Sequence, residues 1–452
     1  MSNVLRIANA HAFWGDDAGA AARLAAASPA LDWITLDYLA EVSMSILAKQ
    51  RERDPSAGYA RDFLDVVESL IPLWNSGHRV RIVTNAGGLN PAGCAAACAE
   101  LLKRAGCGGV KIGVVSGDDV LGQLRADAQA FRHLETGDAP DSVASRLVTA
   151  NAYLGAAPIV GAILAGAAIV ITGRVADPSL TVAPCIAHFG WSNDDYASIA
   201  GATVAGHLIE CGTQVTGGIS TDWLDVPDAA NIGFPIAEVA ADGSCVIAKP
   251  PGTGGRVSEQ TIKEQLLYEI GDPARYLSPD ATVSFLTLRV SDEGNDRVRV
   301  SGATGSAPPA TYKVSATFRA GFRASGTLTV FGRDAVAKAK RCGVIVLQRL
   351  KDRGCSPRQS WVECLGAGAV APGVLPAHRA GATETVLRIT VADDGRDVVE
   401  RFTRELMPLI SAGPQGITGY AEGRPVVREV FGYWPTLIAR QRVQPRVEMI
   451  DC

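Results

Sequence analysis

The chain has 452 residues, of which 47% are hydrophobic and 20% are charged, and its formal net charge is -4. This length suits two domains, and the lack of a basic surplus argues against a protein that holds nucleic acid in a positive field. The ten cysteines include no CxxC pair, so neither a zinc site nor a disulfide framework is predicted. Scattered thiols and an N-terminus without a secretory pattern lead us to expect a cytoplasmic protein.

Strand-like and helical stretches alternate through the first half of the chain. This alternation is typical of βαβ crossovers and predicts a mostly parallel, Rossmann-like sheet flanked by helices. The five strand-like runs lie within residues 4–10, 31–39, 80–90, 110–119 and 167–173.

One uncharged run, residues 152–172, is long enough for a membrane span. Glycines and a proline interrupt it, and no basic cluster or aromatic belt flanks it. We therefore expect a buried helix followed by a strand, and no membrane association.

The pattern changes after about residue 230, where short strand-like runs alternate with Asp-Gly and Gly-rich turns. Such runs predict antiparallel strands, followed here by a mixed pattern of helices and strands. We place the domain boundary near residue 225, between an α/β domain of residues 1–225 and an α+β domain of residues 226–452.

The segment ITGRVADPSL, residues 171–180, holds the first candidate site. A β-branched run that stops at Gly173 indicates a buried strand, and ligands of α/β sheets bind outside the carboxyl ends of such strands. Arg174 offers planar donors for a carboxylate or phosphate, and Asp177 offers a base or an acceptor. Alternatively, Asp177 before Pro178 caps a helix.

The glycine-rich loop TNAGGLNP follows the third predicted strand. Its glycines would let a ligand approach the backbone, and a helix N-terminus after it favours an anion. The loop lacks the GxGxxG and P-loop patterns, so an ordinary strand-to-helix turn is the alternative. The candidate ligand-binding residues are Asn85, Gly87, Gly88 and Asn90.

His207, Glu210 and Cys211 are spaced three and four residues apart, so they share one face of a predicted helix. This spacing suits a general acid–base pair, whereas ordinary packing is the alternative. No third ligand completes a metal site, so none is predicted.

The segment KPPGTGG is a third candidate, suited to phosphate groups through backbone N–H donors and a lysine. A plain turn is again the alternative. Its candidate residues are Lys249, Gly252, Thr253, Gly254 and Gly255.

Several motifs together resemble the acyclic terpene utilisation (AtuA) family, and the resemblance covers most of the chain. The motifs include NAHAFWGDD, VTNAGGLNP, TGRVADPSL, AGHLIECGTQVTGG, ANIGFPIAEV and GITGYAEGRP. The resemblance implies a cytoplasmic catabolic protein in an acyl-CoA pathway that degrades citronellol, geraniol and related branched acids. Some relatives carry an extra C-terminal domain that resembles a ferredoxin-like fold. We expect this chain to lack that domain and to work with a small partner subunit of the same fold.

The leading hypothesis is therefore a hydratase, dehydratase or carbon–carbon lyase acting on a branched acyl-CoA. Asp177, Glu210 and then His207 are the acid–base candidates, and Arg174 would neutralise a carboxylate or an enolate. Coenzyme A enters as part of the substrate, with no tightly bound cofactor, and we expect a homo-oligomer. Two alternatives stay open: a non-catalytic acyl-CoA-binding or scaffold subunit, and an ATP-using enzyme suggested by the glycine loops and Asp118.

Overall fold

The computed structural model describes residues 3–374, 382–421 and 423–452. The chain forms two compact units: unit 1 comprises Met1–Thr317 with Tyr433–Cys452, and unit 2 comprises Phe318–Gly432. The boundary predicted near residue 225 does not coincide with this division. The antiparallel strands at residues 236–240, 245–248, 289–292 and 298–301 extend the main sheet of unit 1, and three short strands at residues 276–277, 282–284 and 304–306 form a separate antiparallel sheet. The change in sequence pattern therefore marks a change in strand direction within one unit.

The helices and strands of the described residues are numbered in chain order. The strands are β1 (Val4–His11), β2 (Trp33–Leu36), β3 (Arg81–Thr84), β4 (Lys111–Ser116), β5 (Leu147–Ala152), β6 (Ile169–Thr172), β7 (Ile236–Ala240), β8 (Cys245–Ala248), β9 (Tyr276–Leu277), β10 (Thr282–Ser284), β11 (Arg289–Asp292), β12 (Val298–Ser301), β13 (Thr304–Ser306), β14 (Thr311–Phe331), β15 (Gln359–Leu365), β16 (Glu384–Asp393), β17 (Ile417–Thr418), β18 (Arg428–Ala439) and β19 (Arg446–Asp451). The helices are α1 (Ala20–Ala27), α2 (Glu41–Arg53), α3 (Phe63–Asn75), α4 (Pro91–Arg104), α5 (Leu121–Ala126), α6 (Ala157–Leu164), α7 (Ser179–Phe189), α8 (Tyr196–Glu210), α9 (Glu259–Leu267), α10 (Ala335–Asp352), α11 (Arg396–Leu406) and α12 (Leu409–Ala412).

A ten-stranded sheet organises unit 1, in the order β11-β12-β8-β7-β1-β2-β3-β6-β4-β19. The five central strands, β1-β2-β3-β6-β4, pair in parallel as predicted. The flanking strands pair antiparallel, so the sheet as a whole is mixed. Because the central order differs from the 3-2-1-4-5-6 order of a Rossmann sheet, the Rossmann-like part of the prediction is not confirmed.

The buried positions of unit 1 explain why these segments form a parallel core. All four residues of β2 and of β6 are buried, as expected for strands covered on both faces. Helix α3 buries an apolar stripe against the sheet, and α4 begins at Pro91 because Asn90 caps it, accepting a hydrogen bond from Gly93 N at 3.0 Å.

The uncharged run 152–172 folds as predicted into a helix and a strand, α6 and β6. None of the helices in the described part of the chain combines the length and the apolar character needed to cross a membrane.

Unit 2 contains an antiparallel sheet with the local order β15-β16-β14-β17, and β18 also pairs with β14. Its core lies between one face of this sheet and helices α10 and α11, and includes Leu328, Leu387, Val346 and Phe402. The sequence predicts two separate strands in residues 312–332. The structure has one 21-residue strand, β14, which runs through both segments.

Candidate functional site

Buried polar side chains lie at or just after the carboxyl ends of the central strands of unit 1. Parallel pairing brings these ends to one edge of the sheet, where α/β proteins bind their ligands. Each side chain there is at most 6% exposed, although burying a polar group is costly unless it is hydrogen-bonded. The set comprises Asn9, Asp37, Asn85, Asp118 and Arg174.

Arg174 lies at the centre of this cluster, directly after β6, and is 3% exposed. Its Nη1 atom donates hydrogen bonds to Leu39 O and to Asp177 Oδ1, each at 2.7 Å. Its guanidinium carbon lies 4.1 Å from the ring centroid of Tyr153, which is a cation–π contact. Both of these hydrogen bonds use Nη1, and the Tyr153 side chain is a further polar partner of the guanidinium.

Asp177 forms an ion pair with Arg174 and does not cap a helix. Helix α7 begins at Ser179, and the residue at its N-cap position is Pro178, without a capping side chain. The helix-cap alternative for Asp177 is therefore not confirmed. The Asp177 side chain is 31% exposed, which makes it the most accessible carboxylate of the cluster and the one best placed to meet a ligand.

Two further carboxyl groups lie within electrostatic range of Asp177. Burial, with a smaller contribution from Asp177, raises the pKa of Asp37 well above its usual value, and Arg174 opposes this shift. Asp37 Oδ1 accepts hydrogen bonds from Asn85 Nδ2 at 2.7 Å and from Leu39 N at 3.1 Å. Burial, and to a smaller extent the charge of Asp177, also raises the pKa of Glu210 well above its usual value. The cluster thus combines one arginine with three carboxyl groups, two of which favour the protonated form.

His207 and Glu210 form the hydrogen-bonded pair that their spacing predicts. His207 Nε2 lies 2.9 Å from Gln265 O, and Nδ1 lies 2.9 Å from Glu210 Oε1. Because a carbonyl oxygen only accepts, Nε2 must carry a hydrogen. Burial lowers the pKa of His207 and raises that of Glu210, which favours the neutral form of both side chains. In that state the protonated carboxyl group of Glu210 donates a hydrogen bond to Nδ1 of His207.

The other oxygen of Glu210, Oε2, is buried and has no hydrogen-bond partner among the described residues. A buried polar atom without a partner is costly, and active sites are a common place for one. The pair therefore holds a proton next to Arg174 and Asp177 and leaves one carboxyl oxygen unengaged.

Asp118, which suggested the ATP alternative, is engaged in positioning Arg174. Its Oδ2 atom accepts hydrogen bonds from Arg174 N at 2.9 Å and from Asn151 Nδ2 at 2.7 Å. Burial raises the pKa of Asp118 to about 6. Gly173 makes this contact possible, since a Cβ atom there would lie 2.3 Å from Asp118 Oδ1.

A layer of side chains connects Arg174 to the surface. The hydroxyl of Tyr153 donates a hydrogen bond to Glu41 Oε1 at 3.0 Å, and its ring contacts both Arg174 and Lys313. Lys313 Nζ lies 3.6 Å from Glu41 Oε1 and 4.8 Å from the Tyr153 ring centroid, and its side chain is 42% exposed. One aromatic ring thus contacts two cations, the buried Arg174 and the partly exposed Lys313.

Sequence reasoning missed Asp37, Glu41, Tyr153 and Lys313. Asp37 carried a usable signal, because it directly follows the buried strand β2 as Arg174 follows β6. The other three carried none, since their roles arise from contacts between segments far apart in the chain.

The glycine-rich loop after β3 is closely packed against protein atoms. A Cβ atom on Gly87 would lie 2.5 Å from Thr172 O, and one on Gly88, whose φ is +52°, would lie 2.3 Å from Leu47 Cδ1. Asn90 caps α4, and of this loop only Asn85 joins the Arg174 cluster, through Asp37. The expectation that these glycines open the backbone to a ligand is therefore not confirmed.

The loop 249–255 lies at the same edge of the sheet as the Arg174 loop. Strand β8 ends there because it is antiparallel to β7, which is itself antiparallel to β1. Four strands separate β8 from β6, so the two loops are about 24 Å apart across the sheet. Lys249 Nζ bonds to Thr253 O at 2.8 Å and pairs with Asp296 at 3.1 Å. The lysine is thus engaged within its own neighbourhood.

The glycines of this loop differ in their surroundings. A Cβ atom on Gly254 would lie 2.0 Å from Asp228 O, and one on Gly255 would lie 2.5 Å from Thr216 O. Gly252 is open, with no atom within 4 Å of such a Cβ. Over the described residues, no group of three or more histidine, cysteine, aspartate or glutamate side chains is arranged to hold a metal ion.

The fold and site define an α/β protein with a buried acid–base cluster around one arginine at the carboxyl edge of its sheet. The chain belongs to the acyclic terpene utilisation family, since the family described as "Acyclic terpene utilisation family protein AtuA" matches residues 5–449. This confirms the resemblance carried by the sequence motifs. No curated protein and no solved structure gives a significant match.

Proposed function

We propose that the chain is a catabolic enzyme that hydrates, dehydrates or cleaves a branched or isoprenoid acyl-CoA close to its thioester. Membership of the acyclic terpene utilisation family supports the catabolic role. One observation carries the reaction class: Arg174 lies beside three carboxyl groups, and burial favours the protonated form of two of them, Asp37 and Glu210. Carboxyl groups with opposite proton occupancy supply the acid and the base of such reactions.

Arg174 binds the negative charge that develops during the reaction. Addition of water next to a thioester, or its reverse, passes through an enolate whose oxygen needs hydrogen-bond donors. The guanidinium of Arg174 supplies them, and the ring of Tyr153 with the backbone oxygen of Leu39 keeps the guanidinium in place.

Asp177 and Glu210 divide the proton transfers. In the hydration direction, Asp177 takes a proton from water as its oxygen bonds to the β carbon, and Glu210 delivers a proton to the α carbon. His207 orients Glu210 through the 2.9 Å hydrogen bond and stores the proton at Nδ1 when the pair ionises. Return of the proton from Asp177 to Glu210 restores both groups, so the cycle consumes only water.

The experiment incubates the full chain with a panel of branched enoyl-CoA and 3-hydroxyacyl-CoA thioesters and follows gain or loss of water, or chain cleavage, by mass spectrometry. Asp177→Asn should lower kcat by about 100-fold or more, the usual effect of losing an acid–base group. Substrate-induced thermal stabilisation should persist in this variant. Glu68→Gln, an exposed helix position in the same unit, is the matched control.

Two results would remove the proposal. In the first, acyl-CoA raises the thermal stability of the protein, but no thioester is turned over even when the other cellular proteins of its pathway are added. The binding or scaffold alternative predicts this result. The other is an Asp177→Asn variant as active as Glu68→Gln.

The proposal includes a cytoplasmic protein that assembles with copies of itself and works with a small subunit of ferredoxin-like fold. Light scattering of the purified chain tests self-assembly, since the measured mass must then be a multiple of 47.2 kDa. Co-purification from the native host tests the small subunit.

A further inference from the structure

A positively charged recess lies on the surface of unit 2, and the acid–base site does not include it. Its volume is about 420 Å³, within the range of small-molecule sites. Three exposed arginines and two hydroxyl side chains contribute to its lining: Arg323, Arg424, Arg428, Ser325 and Thr327.

Within residues 3–374, 382–421 and 423–452, no carboxylate forms an ion pair with any of the three arginines of this recess. None of their side chains forms an ion pair or a hydrogen bond with the residues that the structure describes. By contrast, nearby Arg388 holds Glu363 with two hydrogen bonds, at 2.7 and 2.8 Å. Three like charges that line one recess repel one another, and binding of an anion relieves that repulsion.

The composition of unit 2 agrees with an anionic ligand. Residues 318–432 contain 17 lysines and arginines against 11 aspartates and glutamates, a surplus of six positive charges, whereas the whole chain has a net charge of -4. The positive charge is therefore concentrated in this unit.

A second recess of about 400 Å³ adjoins the first and shares Arg323 and Ser325 with it. Trp361 lines this second recess and is 44% exposed, which is unusual for so large an aromatic side chain. An exposed aromatic face beside arginines is the arrangement that binds a planar base next to its phosphates.

The strand pattern explains why these side chains meet. Side chains of β14 alternate between the two faces of the sheet, and Ala324, Leu328 and Val330 are buried in the core with α10 and α11. Arg323 and Ser325 therefore point to the opposite face. There Ser325 lies opposite Thr390 of β16, and Thr390 lies opposite Trp361 of β15.

We propose that these two recesses form a binding site for a nucleotide, with its phosphates on the three arginines and its base on Trp361. Guanidinium groups bind phosphate oxygens through paired hydrogen bonds, and Ser325 and Thr327 add hydroxyl donors. The site is independent of the proposed acyl-CoA chemistry. A free nucleotide and the nucleotide half of coenzyme A share the recognised chemistry, and the experiment separates them.

The experiment measures binding to the full chain by isothermal titration calorimetry with adenosine, ADP, adenosine 3′,5′-bisphosphate and coenzyme A. The phosphorylated ligands should bind, and adenosine should not. Arg424→Gln and Arg428→Gln should each weaken that binding about tenfold, or about 1.4 kcal/mol. Arg333→Gln, an exposed position in unit 2 whose side chain is 94% exposed and lines neither recess, is the control. Trp361→Ala should weaken binding of ADP but not that of pyrophosphate.

Tighter binding of the bisphosphate and coenzyme A than of ADP identifies coenzyme A as the source, and equal or tighter binding of ADP identifies a free nucleotide. The proposal is overturned if no phosphorylated ligand binds, if Arg424→Gln matches Arg333→Gln, or if only a single-stranded oligonucleotide binds. If nucleotide binding depends on these arginines but the chain turns over no thioester, the nucleotide site is supported and the proposed function is refuted.

Discussion

Replacement of Asp118 by asparagine should change how the stability of unit 1 depends on pH. Burial raises the pKa of Asp118 from 3.8 to about 6, a shift of about two units. At about 1.4 kcal/mol per unit, this corresponds to about 3 kcal/mol between the protonated and ionised states. The two hydrogen bonds that Asp118 accepts from Arg174 and Asn151 oppose the shift but do not cancel it.

The direction of this pKa shift determines how the stability of the protein changes with pH. A raised pKa means that the folded state holds the proton more tightly than the unfolded chain does. The contribution of Asp118 to stability is therefore complete below pH 3.8 and is lost as the pH rises to about 6. An asparagine at this position does not ionise, and its carbonyl oxygen can accept the same two hydrogen bonds. The variant should therefore not lose this stability as the pH rises.

The assay is urea unfolding of the wild type and Asp118→Asn, followed by circular dichroism at several values between about pH 4 and about pH 7. The free energy of unfolding of the wild type minus that of the variant should fall by about 3 kcal/mol across this range. Glu68→Gln, at an exposed position of α3, is the control and should show a constant difference from the wild type. A constant difference for Asp118→Asn, or one that rises with pH, would refute the reasoning.

Three other substitutions test the packing and contacts described above. Gly173→Ala should destabilise the protein by about 1–3 kcal/mol, because its Cβ atom would lie 2.3 Å from Asp118 Oδ1; an unchanged Tm would contradict this. Tyr153→Phe loses the 3.0 Å hydrogen bond to Glu41 and should cost about 1 kcal/mol in chemical denaturation, with acyl-CoA affinity preserved because the ring remains. Phe402→Ala, in the core of unit 2, should cost about 3–5 kcal/mol, and a smaller loss in the same denaturation assay would mean that the core collapses around it.

Parts of the candidate site could be predicted from the sequence, where a local pattern determines the positions of the side chains. Arg174 follows a β-branched run, and such a run ends at the ligand-binding edge of a parallel sheet. His207 and Glu210 are three residues apart on a helix, a spacing that alone brings their side chains together, and the structure joins them at 2.9 Å. Gly87 and Gly88 show the limit of such patterns, because a sequence does not distinguish a glycine that admits a ligand from one that packs against another segment of the protein.

The sequence by itself determined the five parallel strands, the helices between them, the antiparallel character of the later strands and the family. These features depend on the periodicity of apolar residues and on short motifs, both of which are local. Only the tertiary structure decided that β7, β8, β11 and β12 extend the first sheet, and that Asp37, Tyr153 and Lys313 converge on Arg174. Strand pairing and burial depend on which distant segments meet. These contacts do not change the spacing of apolar residues within either segment, so the sequence pattern does not reveal them.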